Sequence, residues 1–262
     1  MTIHASAMVG QSVHVPASVA VGPYCIIEDG VTLEEGVVLG PHCVVHRGTR
    51  VGAHTRLAAH VVLGGAPQDA RHDPSVQTAL VIGRGNHFRE FSTAHRGTST
   101  GRAATVIGDD NWFMATSHVA HDCIVGSGCT LANGVALAGH VEVGDGATFG
   151  GLSAVHQFAR IGRLAMVSGG AMCTQDVPPF TIAQGDRARL RGLNTVGLRR
   201  SGVGAEARMA LKNAYRLLFL QGLPRQEAIG RVQTELGEVT EVEELLDFVR
   251  GSERGLCRAA LP

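Results

Sequence analysis

A parallel β-helix followed by a small helical domain is the fold that this 262-residue sequence predicts. Three observations predict it. Apolar residues recur every sixth position, and a mostly small residue stands four places after each of them. Glycine recurs beside these apolar anchors. After a pair of prolines the period changes to that of amphipathic helices.

The repeat opens the chain. Ile3, Val9, Val15, Val21, Ile27, Leu33, Leu39, Val45, Val51, Leu57 and Leu63 are spaced by six without a slip. The small slot between them is filled by residues such as Ala7, Cys25 and Cys43. A period of six fits neither a lone helix at 3.6 nor a lone strand at 2. It fits a unit in which a short strand forms a wall and a turn forms the corner. Three walls close a coil of roughly 18 residues, and coils stack about 4.8 Å apart, burying a core only together. The histidines of this part (His4, His14, His42, His46, His54, His60) fall at corners or outward positions, and most of them read as solvated.

Two breaks interrupt the pattern. Gly64 to Thr78 (GGAPQDARHDPSVQT) carries two prolines, two glycines and few large apolar residues, and the repeat breaks again at His95 to Ala104 (HRGTSTGRAA), so loops are expected at about 64–80 and 95–105. Loops budding from a rigid solenoid are common places for binding residues. The repeat then runs from Ile107 to Cys173, with glycine at 108, 126, 144, 150 and 162, until Pro178 and Pro179 stop the ladder. Residues 183–204 read as a polar, Gly- and Arg-rich connector, followed by helices at Ala205–Gln221 and about 225–236 and 240–250. Thr240 with Glu243 matches a capping box. The expected domains are therefore a β-helix over 1–182 and a connector with helical domain over 183–262.

Lys plus Arg equals Asp plus Glu at 23 each, which argues against wholesale binding of nucleic acid or polyanions. No stretch approaches the roughly 20 apolar residues of a membrane-spanning helix. The first coils already carry the repeat, so no secretory signal is read and the cytoplasm is the expected location. Six cysteines without a C-x-x-C pair fit buried thiols. P-loop, dinucleotide, H-E-x-x-H and G-x-S-x-G signatures are absent from the sequence.

The functional signal lies in three histidines. Counted from Ile107 in coils of 18, His121, His140 and His156 fall at offsets 14, 15 and 13, which predicts imidazoles along one edge of the prism. His118 precedes His121 on the wall of the same coil. An imidazole near its ordinary pKa of about 6.5 is suited to take a proton from an attacking hydroxyl or amine. It needs an orienting carboxylate. Asp122 is adjacent, but neighbours on a strand point to opposite faces, so Asp69 and Asp73 of the first loop are better placed. Gly139 lets a ligand approach a backbone N–H that would hold an oxyanion. Arg187, Arg189, Arg191, Arg199 and Arg200 offer forked donors for phosphate, or simply a solvated basic loop.

The strings AHDCIVGSGCTLANGVALAGHVEVGD, GGLSAVHQFARIG, TQDVPPF, IAQGD, GLNTVGLRR and NAYRLLF, with the APQDAR and HRGT stretches, closely resemble the bacterial UDP-N-acetylglucosamine O-acyltransferase family, over nearly the whole chain. That resemblance implies a left-handed β-helix and a homotrimer with active sites between subunits. The implied reaction moves an (R)-3-hydroxyacyl group from acyl carrier protein to the glucosamine 3-position of UDP-GlcNAc, the first step of lipid A assembly. No cofactor, metal or covalent intermediate is implied. On matching positions His121 resembles the general base, Asp69 its orienting partner and Gly139 the oxyanion donor. Gln68, His118, His140, His156, Gln157, Asn194 and Arg200 resemble substrate-positioning residues, and Gly169 the place where acyl length is limited. Arg160, Arg163 and Arg199 are candidate contacts for the acidic carrier.

Three positions depart from the family pattern: Val196 in place of an acid, Ser201 in place of a second arginine, and Arg71 where lysine is common. They leave open an N-acyltransferase acting on a 3-amino UDP-sugar or another nucleotide sugar. A zinc-dependent lyase of the β-helix type and a non-catalytic trimeric scaffold remain further alternatives.

Overall fold

Each six-residue unit folds as a strand of two residues and a turn. The apolar anchor is the second strand residue and faces inward, as at Val21, Ile27 and Leu33, while the residue before it faces out. The computed structural model describes residues 2–260, so the outermost positions of both expected domains lie outside it. Within it the chain winds as a left-handed parallel β-helix with three walls. The first wall has eleven strands, from Thr2–Ile3 to Arg189–Leu193. The second has nine, from Met8–Val9 to Met172–Cys173. The third has seven, from Thr32–Leu33 to Arg160–Ile161.

The register is 18 residues per coil: Ala20 pairs with Val38, Ile26 with Val44, and Thr32 with Arg50, all parallel. Inside, the small slots hold Cys25, Cys43, Cys123 and Cys129. All six cysteines are free and buried, and Cys25, Cys43 and Cys123 donate to carbonyls of the following coil.

The corners are made largely by residues in the left-handed region, and many are not glycine. At the corner between the second and third walls these are Asp122, His140 and Phe158, with φ of 60°, 62° and 63°. Such a backbone is disfavoured for a residue with a Cβ. Each corner is held by a hydrogen bond to the coil before it, such as His140 N to His121 O at 3.0 Å and Phe158 N to Gly139 O at 3.1 Å.

The corner between the first and second walls stacks Tyr24, His42, His60 and Phe91, with centroids 4.8–5.0 Å apart and rings within 14° of parallel. His42 and His60 are thus exposed members of a ring stack, and His46 is bound to Glu28 at 3.0 Å. Simple solvated histidines was too plain an expectation for these three.

Both loops leave from the corner between the second and third walls. Across the first, Val62 pairs with Thr93, 31 positions apart; across the second, Ala79 pairs with Ala104, 25 apart. Insertions of 13 and 7 residues are absorbed there and the register resumes. This corner therefore carries two excursions and His121, His140 and Phe158.

Beyond the prolines the structure departs from the expected connector. Thr181–Gln184 continues the first wall and Arg189–Leu193 pairs with it antiparallel, so part of 183–204 is sheet. Four helices follow: α1 (Thr195–Arg200), α2 (Ala205–Tyr215, running into a π turn over Arg216–Leu220), α3 (Arg225–Leu236) and α4 (Thr240–Arg250). The capping box at Thr240 does not form. Helix α4 begins at Thr240 itself, and Val239 in the cap position has no side-chain acceptor to offer.

The helices bury Leu198, Leu211, Val232, Leu245 and Leu246 against Leu164 and Phe180 of the β-helix. Arg163 bonds Glu244, and the Arg160 guanidinium lies 4.3 Å above the Phe248 ring.

Candidate active site

His121 and Asp122 lie in the turn that follows the strand His118–Val119. Strand alternation ends where the turn begins, and the left-handed backbone of Asp122 brings its carboxylate beside its neighbour. Asp122 Oδ2 is 2.9 Å from His121 Nδ1. The orienting carboxylate is therefore Asp122, and the expectation that Asp69 fills this role is corrected. Asp69 is held by Arg71, whose backbone N–H and guanidinium donate to it at 2.9–3.1 Å. Those bonds keep its carboxyl well below the ordinary carboxylate range. Asp69 still lies near enough for its charge to act on His140.

Asp122 is fully buried. Burial pushes its carboxyl up, but hydrogen bonds from Thr98, His121 and Arg102 outweigh this and hold it below its usual value. A carboxylate on Nδ1 fixes the tautomer, with Nδ1–H donating to Asp122 and Nε2 free to accept a proton. Gly139 lies against the same ring. A Cβ there would stand 2.5 Å from Cε1 and 2.7 Å from Nε2 of His121, so only glycine leaves the ring its place.

The other imidazoles are near but not in single file. The residues 18 apart are Asp122, His140 and Phe158, and the Phe158 ring stacks on His140 at 4.4 Å. His140 meets His121 edge-on at 5.4 Å between centroids, with Nε2 3.6 Å from Asp122 Oδ2. Burial is the main influence lowering its pKa.

His118 faces out from the second wall, bonded to Thr93 Oγ1 at 2.7 Å and edge-on to His95 at 4.7 Å. Its pKa is lowered by burial, and burial takes His95 down to about 4. His156 sits at the strand end before the turn, where Arg254 Nη2 donates to its Nδ1 at 2.7 Å. Gln157 and Gln68 are exposed.

A recess of about 470 Å³ opens beside His140 and Phe158, bordered by Arg102, Arg160, Arg254 and Glu253. Helix α1 is elsewhere in the chain: Asn194 and Arg200 follow the last strand of the first wall. Asn194 caps α1, accepting from Gly197 N at 3.0 Å and donating to Leu164 O at 2.9 Å. Gly169 sits at the corner between the first and second walls, where a Cβ would meet only the Gly151 backbone, its O at 3.4 Å and its N at 3.9 Å.

Two further expectations change. Arg160 and Arg163 are engaged by Phe248 and Glu244, and so are not free for an acidic carrier. For the zinc-dependent alternative a single chain offers a poor donor set. His121, Asp122 and His140 are the one trio among the described residues with ligand atoms within 4.8 Å of one another. Yet both Asp122 oxygens already accept from N–H and O–H groups, whose hydrogens a cation would confront. Asp122, Phe158 and the Thr98–Arg102 segment were missed in the sequence. The contiguous His121-Asp122 pair was the available signal, set aside by applying strand alternation to a turn.

Known proteins agree with this architecture. The profile described as UDP N-acetylglucosamine O-acyltransferase, domain 2, matches residues 176–257, and the bacterial transferase hexapeptide profile matches residues 104–139. An acyl-[acyl-carrier-protein]–UDP-N-acetylglucosamine O-acyltransferase of Anaeromyxobacter dehalogenans is 44% identical over 98% of this chain and 100% of its own. Its counterpart from Stenotrophomonas maltophilia is 44% identical over 98% of this chain and 97% of its own. The crystal structure of the UDP-N-acetylglucosamine O-acyltransferase of Moraxella catarrhalis superposes with a TM-score of 0.95 at 38% identity, covering 98% of this chain and 100% of that one. With its coils, its helical end and its full length all matched, this chain belongs to the UDP-N-acetylglucosamine O-acyltransferase family.

Proposed function

We propose that the protein transfers an (R)-3-hydroxyacyl group from acyl carrier protein to the 3-hydroxyl of UDP-N-acetylglucosamine, in the cytoplasm, as the first step of lipid A assembly. The observation that carries the mechanism is the Asp122–His121 pair with Nε2 left free beside Gly139. His121 Nε2 takes the proton of the sugar hydroxyl as its oxygen attacks the thioester carbonyl. The resulting oxyanion accepts from the Gly139 N–H, which has no acceptor among the described residues. The carbon–sulfur bond then breaks, and the thiolate recovers the proton from His121. The reaction needs no cofactor on this reading, and no covalent enzyme intermediate forms.

A homotrimer completes the site. Asn194 and Arg200 follow the first wall, while His121 stands between the second and third, so a neighbouring subunit is needed to bring the two groups to one substrate. Gln68, Asp69, His118, His140, His156 and Gln157 position the substrates from the His121 side. The outward row His118, Ala136, Ala154, Met172 runs along the second wall, which separates the corner of His121 from that of Gly169. Its two alanines leave space for an acyl chain that Gly169 does not obstruct. For the carrier, a groove of about 760 Å³ at α1 and α2 has Leu193, Leu198 and Met209 beneath a rim of Arg191, Arg199, Arg208, Lys212 and Arg216. Such a rim complements an acidic partner.

Purified protein supplied with hydroxyacyl carrier protein and either UDP-N-acetylglucosamine or its 3-amino analogue tests the reading. Ester formation on the hydroxyl sugar is expected. Product on the amino sugar alone, or on neither, would sink it.

A further inference from the structure

The carboxylate that orients His121 is itself held from above by the second loop. Thr98 N lies 3.1 Å from both oxygens of Asp122, Thr98 Oγ1 donates to Oδ2 at 2.7 Å, and Arg102 N donates to Oδ1 at 2.7 Å. The Arg102 guanidinium adds a bond to the Asp122 backbone carbonyl at 3.0 Å and pairs with Glu142. Between them the loop passes so close that a Cβ on Gly101 would stand 2.6–2.7 Å from all three carboxylate atoms. From below, Asp122 N donates to Thr105 Oγ1 at 2.8 Å.

A buried carboxylate stripped of water is costly unless hydrogen-bond donors replace the water. Here those donors come from a segment whose seven-residue insertion leaves the β-helix and returns to it at this corner alone. The wall strands on either side, Thr93–His95 and Ala104–Ile107, each pair with the coils before and after, and residues 98–102 take no part in that pairing.

We propose that Thr98 is a positioning residue for the reaction: through its hydroxyl and N–H, with the N–H of Arg102, it fixes Asp122 in the one orientation that aims Oδ2 at His121 Nδ1. Thr98 does not touch the reacting atoms and acts only through Asp122. The inference rests on the reading of His121 as the base.

The test is steady-state kinetics of the full-length enzyme with hydroxyacyl carrier protein and UDP-N-acetylglucosamine. Thr98→Val keeps the side-chain volume and removes the hydroxyl. A lost bond to a charged group should lower kcat roughly 10- to 100-fold and leave KM within about twofold. Thr98→Ser should restore kcat to within about threefold of the parent. In an Asp122→Asn background Thr98→Val should cost less than about twofold, because its only route to the base is already cut.

Equal losses in the two backgrounds, a change confined to KM, or no loss in Thr98→Val would each overturn the proposal. If Thr98→Val does not fold, Thr98→Ala beside Thr98→Ser decides by the same criteria. An inactive His121→Ala enzyme beside an unimpaired Thr98→Val enzyme would overturn this inference alone. A near-normal His121→Ala enzyme would overturn the base reading and this inference with it.

Discussion

Asp122 Oδ2 stands 2.9 Å from Nδ1 of His121, the residue directly before it in the chain. Sequence neighbours on a strand diverge; these two meet because the second of them turns a corner with φ of 60°. The base and its orienter thus lie on one stretch of backbone, while the second loop holds the carboxylate in place from above.

Removing either partner should cost turnover and leave the β-helix intact. His121→Ala is expected to lower kcat on the order of 10²–10⁴-fold. Asp122→Asn should fall in the same range, because an amide permits the wrong tautomer and points hydrogens at the Thr98 and Arg102 donors. Asp122→Asn should also lose about 1–3 kcal/mol of stability from those unmatched donors. Initial rates and urea melts of both variants check this. Near-normal kcat in either would refute the pairing.

Gly139 offers a separate handle on the same ring. Gly139→Ala keeps the N–H that the proposed oxyanion would use, but its Cβ would occupy space 2.5 Å from His121 Cε1. A displacement of about 1 Å at a catalytic group can cost roughly 10²-fold, so kcat should fall by about that factor with the melting temperature changed by only a few degrees. A crystal structure of the variant should display the imidazole tilted away from residue 139.

At Gly169 the expectation is a change of specificity with activity retained. A side chain there meets only an ordinary contact, so Gly169→Met should fold. Each buried methylene is worth about 0.8 kcal/mol, so kcat/KM should decline about fourfold for every methylene excluded, favouring shorter donors. A panel of carrier-protein thioesters graded by length measures it. The same length profile in variant and parent would remove Gly169 from the acyl site.

Acid should weaken the fold through the histidines. Burial holds His95 at about 4, against an ordinary value near 6.5, and also lowers His118 and His140. Between those two pH values the unfolded chain binds a proton at residue 95 that the folded chain refuses. Stability is therefore full above about pH 6.5 and declines as pH falls toward 4. For His95 alone the loss between pH 7 and pH 5 is on the order of 1–2 kcal/mol. Urea unfolding at fixed protein concentration should reveal it, and His95→Gln should flatten the pH dependence.

The part of the molecule legible in the sequence is the part ruled by period. Anchors such as Val21, Ile27 and Leu33 recur at six because three short walls make a lap of 18, and that spacing alone places His121, His140 and His156 near one edge. It also locates both excursions and three of the four helices. Single-residue resolution was not available from it. Offsets 13, 14 and 15 are one step apart, and one step at a corner separates the strand end of His156 from the turn of His121 and the left-handed position of His140. Phe158, not His156, is what stacks on His140.

What only the tertiary structure decided is where turn residues aim their side chains and what comes back over them. Asp122 became the orienting carboxylate because a left-handed corner reversed the alternation that had excluded it, while Arg71 held Asp69. Thr98 and Arg102 reached Asp122 across 24 and 20 positions of sequence. The physical reason is the range of the forces. Burial of a repeated apolar face is written locally and read off its period, whereas the partner of a buried charge is whichever donor the folded chain carries within about 3 Å of it.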